Sequence, residues 1–147
     1  MQVDFYILAD TSGRDLKRTV CQLCEKALAQ QMQVFIYSSS IEQAQQLDDL
    51  LWSFKDDSFL PHRLLTQHDE PDESDTYPII ISCELNSKIN AKNHPFLINL
   101  SNTYSDFFQD FKRIAEMIDK NPEQKQAARK RYRLYLDKGC NLNKYDL

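Results

Sequence analysis

The order of apolar and amphipathic segments in the first fifty residues constrains the fold of this chain most strongly. Residues 3–8 (VDFYIL) and 33–38 (QVFIYS) are apolar runs of strand length. Residues 14–30 and residues 41 to about 52 repeat apolar side chains near the 3.6-residue period of an amphipathic helix, and a serine can cap the second of them. This order of strand, helix, strand and helix predicts an α/β fold with a mostly parallel sheet and helices on both faces.

The rest of the chain continues this pattern. Further strands are predicted at residues 63–65, 77–85 and 95–101. Apolar residues at helical spacing predict a helix from residue 106 to about 118. A last helix is predicted to begin at Pro122, because a first-turn proline is tolerated, and to end at Gly139, which can adopt a positive φ.

Length and composition restrict the class of protein. At 147 residues, with 41% hydrophobic residues, the chain suits one globular domain over residues 1–147. No apolar run reaches the roughly 18 residues of a membrane helix, and the acidic start lacks the basic region of a signal peptide. Four cysteines in a chain of this size indicate reduced thiols, so we expect a cytoplasmic protein with no membrane partner.

The glycine content argues against a nucleotide-binding loop. Such a loop uses several glycines to bring the backbone close to phosphate groups, but the chain contains only Gly13 and Gly139. We therefore expect neither a dinucleotide site nor a P-loop, and we predict no cofactor.

Cysteine and histidine residues are the candidates for catalysis. Cys21 and Cys24 have the spacing of a redox or zinc motif, but they lie about two turns inside a predicted helix and no second pair follows. Neither a nucleophile elbow nor a local triad spacing occurs. A small enzyme using His62, His94 or Cys24 stays an alternative, because triads assemble from distant positions.

The last predicted helix concentrates positive charge. Six cations and two acids lie between Glu123 and Lys138, a net charge of +4 in a chain whose formal net charge is −4. On a helical wheel its Lys125, Arg129, Tyr132 and Leu136 fall within about 60°, with Ala128 and Tyr135 extending that face.

An apolar face edged by cations suits the C-terminus of a peptide. The carboxylate can bind a lysine or arginine, and the last side chain can enter the apolar surface. Two alternatives stay open: tyrosines between cations can also stack on single-stranded nucleic acid, and the helix can present an ordinary solvated basic face. The acidity of the rest of the chain weakens the nucleic-acid interpretation.

Aromatic residues around the end of the second helix allow two interpretations. Trp52 and Phe59 lie near that end and in the segment after it. Aromatic residues in such segments often fold back into a core, but they also form the anchors of protein interfaces.

Three segments together resemble a known family. LDDLLW (residues 47–52), SFLPH (residues 58–62) and KQAARKRYRLYLDKGCNLN (residues 125–143) are similar to the chi subunit of bacterial DNA polymerase III holoenzyme. The resemblance extends from the first strand to Asn143 and is weakest in residues 68–75 and 86–93. It implies a Rossmann-like fold that binds no nucleotide, in a non-catalytic accessory protein of the clamp loader that functions in DNA replication.

The resemblance also implies partners. The family pairs with the psi subunit and binds the acidic C-terminal tail of single-stranded DNA-binding protein, which ends in Pro-Phe with a free carboxylate. It therefore contacts DNA only indirectly. Related chi proteins also bind a repair helicase through the psi-facing surface.

Carried over by matching positions, the family pattern assigns two sets of residues in this chain. The tail site matches Lys125, Arg129 and Tyr132, with Ile118 as an aliphatic wall and a Gly-x-Asn-Leu-Asn turn at Gly139, Asn141, Leu142 and Asn143. The helical wheel described above adds Leu136 to the tail site. The psi-binding surface matches Trp52, Phe59 and Pro61.

The end of the sequence departs from the family pattern. A tryptophan near the tail site in the family is replaced here by the sequence KYDL. Tyr145 is the candidate to replace that ring, and Asp146 adds negative charge near a site expected to bind an anionic peptide.

Overall fold

The computed structural model describes residues 1–8, 13, 15–54, 60–65, 77–84 and 91–147. Its strands are β1 (Gln2–Ile7), β2 (Val34–Tyr37), β3 (His62–Leu64), β4 (Ile79–Ser82), β5 (Phe96–Asn99), β6 (Arg113–Ile118) and β7 (Asn141–Asp146). Its α-helices are α1 (Leu16–Ala29), α2 (Ile41–Ser53) and α3 (Pro122–Asp137), and a 3₁₀ helix covers Asp106–Asp110.

The seven described strands form one sheet in the order β3-β4-β2-β5-β6-β1-β7. All of its neighbouring strands pair in parallel. The carboxyl ends of the strands therefore meet at one edge of the sheet, where α/β proteins usually bind ligands.

Helices cover both faces of this sheet. On one face, α1 and α2 pack on a core that includes Val20, Leu47 and Ile36. On the other face, α3 packs on a second core that includes Phe5, Ile114 and Tyr135. The predicted α/β fold with a parallel sheet and helices on both faces is confirmed.

The predicted helix from residue 106 to about 118 is wrong. Only Asp106–Asp110 is helical, as a 3₁₀ turn capped by the Ser105 hydroxyl, and Arg113–Ile118 forms β6. Because β6 is an inner strand covered on both faces, apolar residues occupy both sides of it and hide the two-residue period of a strand. Its Glu116 is fully buried.

Both ends of α3 agree with the prediction. The Asn121 side chain caps the helix, Pro122 occupies its first turn, and Gly139 follows its end with a φ of 77°. The segment after Gly139, expected to be a turn, instead becomes strand β7 along the outer side of β1. This edge strand adds a wall beside α3 that the sequence did not indicate.

Candidate functional site

A pocket lies between the first half of α3 and the carboxyl ends of three strands. Ile7, Ile118 and Asp146 are the last residues of β1, β6 and β7, and all three line it. The pocket has a volume of about 370 Å³. Its lining comprises Phe5, Ile7, Ile118, Lys125, Ala128, Arg129, Tyr132, Lys144 and Asp146. We call this cavity the α3 pocket.

The floor of the α3 pocket is apolar. Phe5 and Ile7 alternate along β1 and therefore point to the same face of the sheet. Ile118 of β6 lies beside Ile7 in the strand register. The ring of Tyr132 packs against the ring of Phe5, with 5.3 Å between centroids, so that α3 closes one side of the floor.

Cations border this apolar floor. Lys125, Arg129 and Tyr132 are four and three residues apart and therefore share one face of α3. Lys144 approaches from β7, beside Phe5. The α3 pocket thus combines an apolar recess with three cationic side chains, which suits an anion attached to an apolar group.

Arg131 does not belong to this surface. It is 3% exposed, and its Nε donates a hydrogen bond to Glu116 Oε2 at 2.9 Å. The hydroxyl of Tyr135 donates to Glu116 Oε1 at 2.8 Å, and the amide of Asn99 donates to the same oxygen at 2.8 Å. Burial raises the pKa of Glu116, and the Arg131 guanidinium opposes that rise. One of the six cations counted in the sequence is therefore neutralised inside the protein.

The structure brings together four of the predicted tail-site residues and places the others elsewhere. Ile118, Lys125, Arg129 and Tyr132 line the α3 pocket. Leu136 is 57% exposed and lies outside the pocket lining. A ligand contact by any of them stays a prediction.

The predicted residues after α3 lie outside the lining of the α3 pocket. Gly139 borders a separate cavity of about 340 Å³. Leu142 packs against the α3-side core, and Asn141 is exposed. Asn143 donates a hydrogen bond to Asp4 at 3.0 Å. Their contact with a ligand also stays a prediction.

Tyr145, the candidate to replace a family tryptophan, faces away from α3. Its ring stacks on Tyr6, with 5.1 Å between centroids. Successive residues of a strand point to opposite faces, so Lys144 and Asp146 point to the α3 side while Asn143 and Tyr145 point to the other. Lys144 and Asp146 enter the α3 pocket. The charge of Asp146 was expected near the site from the sequence, whereas Lys144 was not assigned to it. For Lys144, the alternation of residues along the strand was the available signal.

The second predicted surface is partly described. Trp52 lies in the last turn of α2 and is 57% exposed, and its ring centroid is 4.4 Å from that of His62. Pro61 is half-buried next to His62. Phe59 lies outside the described residues, and psi binding by all three residues stays a prediction.

The residues of the enzyme alternative are buried. Cys21 and Cys24 belong to the core under α1, and burial raises the pKa of Cys21 to about 12 and that of Cys24 further. The rings of His62 and His94 each hydrogen-bond to a backbone carbonyl. Within the described ranges, no group of His, Cys, Asp and Glu residues could hold a metal ion, and no helix could span a bilayer.

Comparisons with known proteins agree with this architecture. The family model for "DNA polymerase III chi subunit, HolC" matches residues 1–143. The chain is 33% identical to DNA polymerase III subunit chi of Pseudomonas aeruginosa over 148 residues, covering 99% of this chain and 96% of the relative. It is 30% identical to the Haemophilus influenzae subunit, covering 95% and 92%, and 27% identical to that of Escherichia coli, covering 95% and 93%.

A solved structure supports the fold separately. The crystal structure of T4 UvsW matches with a TM-score of 0.69 at 9% identity, covering 99% of this chain and 41% of that one. At this identity the match concerns the fold alone. The match of the family model and the three relatives over nearly all of the chain, by contrast, shows that this protein belongs to the DNA polymerase III chi subunit family, as a replication accessory subunit without catalysis of its own.

Proposed function

We propose that this chi-family protein bridges two partners in the cytoplasm, as a component of the clamp-loader complex. The α3 pocket binds the acidic C-terminal tail of single-stranded DNA-binding protein. A second surface around Trp52 binds the psi subunit of DNA polymerase III. The observation that carries the first half of the proposal is the apolar recess bordered by Lys125, Arg129 and Lys144.

The chemistry of the tail fits that recess. Its last residue, a phenylalanine, offers an apolar ring for the floor of Phe5, Ile7 and Ile118. Its free carboxylate can accept charge-assisted hydrogen bonds from Lys125 and Arg129, which border the same recess. The position at the carboxyl ends of parallel strands is the usual ligand position of this fold class.

The first test compares a tail peptide that has a free carboxylate with the same peptide amidated. We expect the free carboxylate to bind more tightly, because amidation removes the charge that Lys125 and Arg129 face. Fluorescence anisotropy measures both affinities. Equal affinities would show that carboxylate capture is not the mechanism. An oligonucleotide in place of the peptide tests direct single-strand binding, for which we expect no comparable affinity.

The second test reverses one charge. We expect Arg129→Glu to reduce tail-peptide affinity by a hundredfold or more, since like-charge contacts at an interface cost several kcal/mol, roughly. The matched control is Lys130→Glu, which makes the same change at an exposed residue outside the pocket lining. If both variants bind as wild type does at low salt, α3 presents only a solvated basic face.

The psi-binding half of the proposal rests on the exposure of Trp52. An aromatic ring that is 57% exposed at a helix end is a candidate interface anchor, and truncating such an anchor costs about 2 kcal/mol or more of binding. We expect Trp52→Ala and Phe59→Ala each to abolish co-purification with psi while leaving tail binding unchanged. A helicase partner using the same surface would be lost with the same variants. Unfolding of either variant would identify that residue as part of the core instead.

A further inference from the structure

The edge strand β7 places a carboxylate inside the cationic α3 pocket. Lys144 and Asp146 point to the α3 side of β7 and line the pocket beside Phe5 and Ile7. Among the described residues, four ionic side chains therefore face the recess: Lys125, Arg129, Lys144 and Asp146. The negative one of these four, Asp146, lies at the carboxyl end of β7.

The strand fixes the backbone that carries this carboxylate. Beyond Asp146, the backbone N–H of Leu147 still donates to the Ile7 carbonyl at 2.8 Å. On the other face of β7, Tyr145 stacks on Tyr6 and Asn143 bonds to Asp4. Contacts on both sides of Asp146 therefore hold its backbone against β1.

The contact between Lys144 and Asp146 is loose. Lys144 Nζ lies 4.0 Å from Asp146 Oδ1, beyond hydrogen-bond distance, and the two side chains are 59% and 71% exposed. An exposed pair of this kind contributes little to stability, so both charges are available to a ligand.

We infer that Asp146 determines the selectivity of the α3 pocket by acting as a built-in competitor of acidic ligands. Its carboxylate lies 4.0 Å from Lys144, competes for that cation, and repels a second anion on the β7 side of the recess. Anions that lack an apolar group therefore bind poorly, and a ligand needs both an apolar end and a carboxylate directed to Lys125 and Arg129. This inference rests on the proposed binding of an acidic tail and names the residue that limits it.

The test is Asp146→Asn, which removes the charge and nearly keeps the shape. We expect a tail peptide with acidic residues before its C-terminus to bind about three- to tenfold more tightly, as removal of one exposed repulsion predicts. A peptide in which those acidic residues are replaced by their amides, with the C-terminal carboxylate kept, gains less. We expect Lys144→Gln to weaken binding of the acidic peptide by a similar factor.

A matched control separates the effect of charge at the pocket from the effect of the net charge of the protein. Asp137→Asn makes the same change of net charge at an exposed residue at the far end of α3, outside the lining of the α3 pocket. If it strengthens binding as much as Asp146→Asn does, the effect is one of net charge and the inference is wrong. If neither changes the affinity while Arg129→Glu still abolishes it, the inference fails and the proposed function stands. If wild type does not bind the peptide at all, the proposed function itself is wrong.

Discussion

Arg129 and Arg131 are two residues apart on the same helix, and the structure uses them in opposite ways. Arg129 is exposed at the border of the α3 pocket, whereas Arg131 is buried against Glu116. At about 100° per residue, the two side chains are about 160° apart around the helix and lie on nearly opposite faces. A count of positive charge treats them alike, but only one of them can meet a ligand. The comparison shows that helical phase, and not the number of cations, decides which charges form a binding surface.

The largest expected difference between the two arginines is in stability. We expect Arg131→Ala to lower the free energy of unfolding by about 3–5 kcal/mol, because it leaves the Glu116 carboxylate buried without its cation. Arg129→Ala should change it by about 0.5 kcal/mol or less, as is usual for an exposed residue. Urea denaturation followed by circular dichroism measures both variants.

A second substitution sharpens this result. Adding Glu116→Gln to Arg131→Ala should recover part of the lost stability, because a neutral amide costs less to bury than an unpaired carboxylate. Similar losses for Arg131→Ala and Arg129→Ala would show that the buried pair does not distinguish the two positions.

A smaller difference in stability is expected between two tyrosines of α3. Tyr135 lies in the core beside Glu116, as Arg131 does, and Tyr132 lines the α3 pocket, as Arg129 does. Tyr135→Phe removes a hydroxyl that donates to Glu116 at 2.8 Å inside the core, and we expect a loss of about 1.5–3 kcal/mol of stability. Tyr132 is 40% exposed, so Tyr132→Phe should cost about 0.5 kcal/mol or less. Thermal and urea unfolding of the two variants measure the difference. A larger loss for Tyr132→Phe would contradict the assignment of the two faces.

The smallest expected effect is that of salt on the affinity of the α3 pocket for the tail peptide. Raising the ionic strength should weaken tail-peptide binding by about 1 kcal/mol, because exposed charges such as Arg129 are screened over about 8 Å at physiological ionic strength. Binding should not vanish, since the apolar floor around Tyr132 is insensitive to screening. Anisotropy titrations across a salt series provide the measurement. A salt-independent affinity would mean that the cations of the α3 pocket do not contact the ligand.

The sequence predicted the parallel α/β fold because apolar strands and amphipathic helices alternate in it. It predicted that Lys125, Arg129 and Tyr132 belong to one site because they share a helix face. It did not predict β6, since an inner strand buried on both faces shows no two-residue period. The role of Arg131 was missed although Ala128, Arg131 and Tyr135, all buried, recur at helical spacing. Asp146 was expected near the site from the KYDL sequence, but Lys144 was missed because only the pairing of β7 with β1 brings it to the pocket.

That pairing has a consequence for the order in which the protein is made. Asn143 of β7 bonds to Asp4 of β1 across 139 positions of the chain, so two walls of the α3 pocket come from opposite ends of the described sequence. Ribosomes add about 5–20 residues per second, and β7 is the last of the described strands to be synthesised. A nascent chain therefore has α3 before it has a complete pocket. Only chains translated through β7 present the finished recess, so the proposed capture of a partner by this pocket would begin only after β7 has been made.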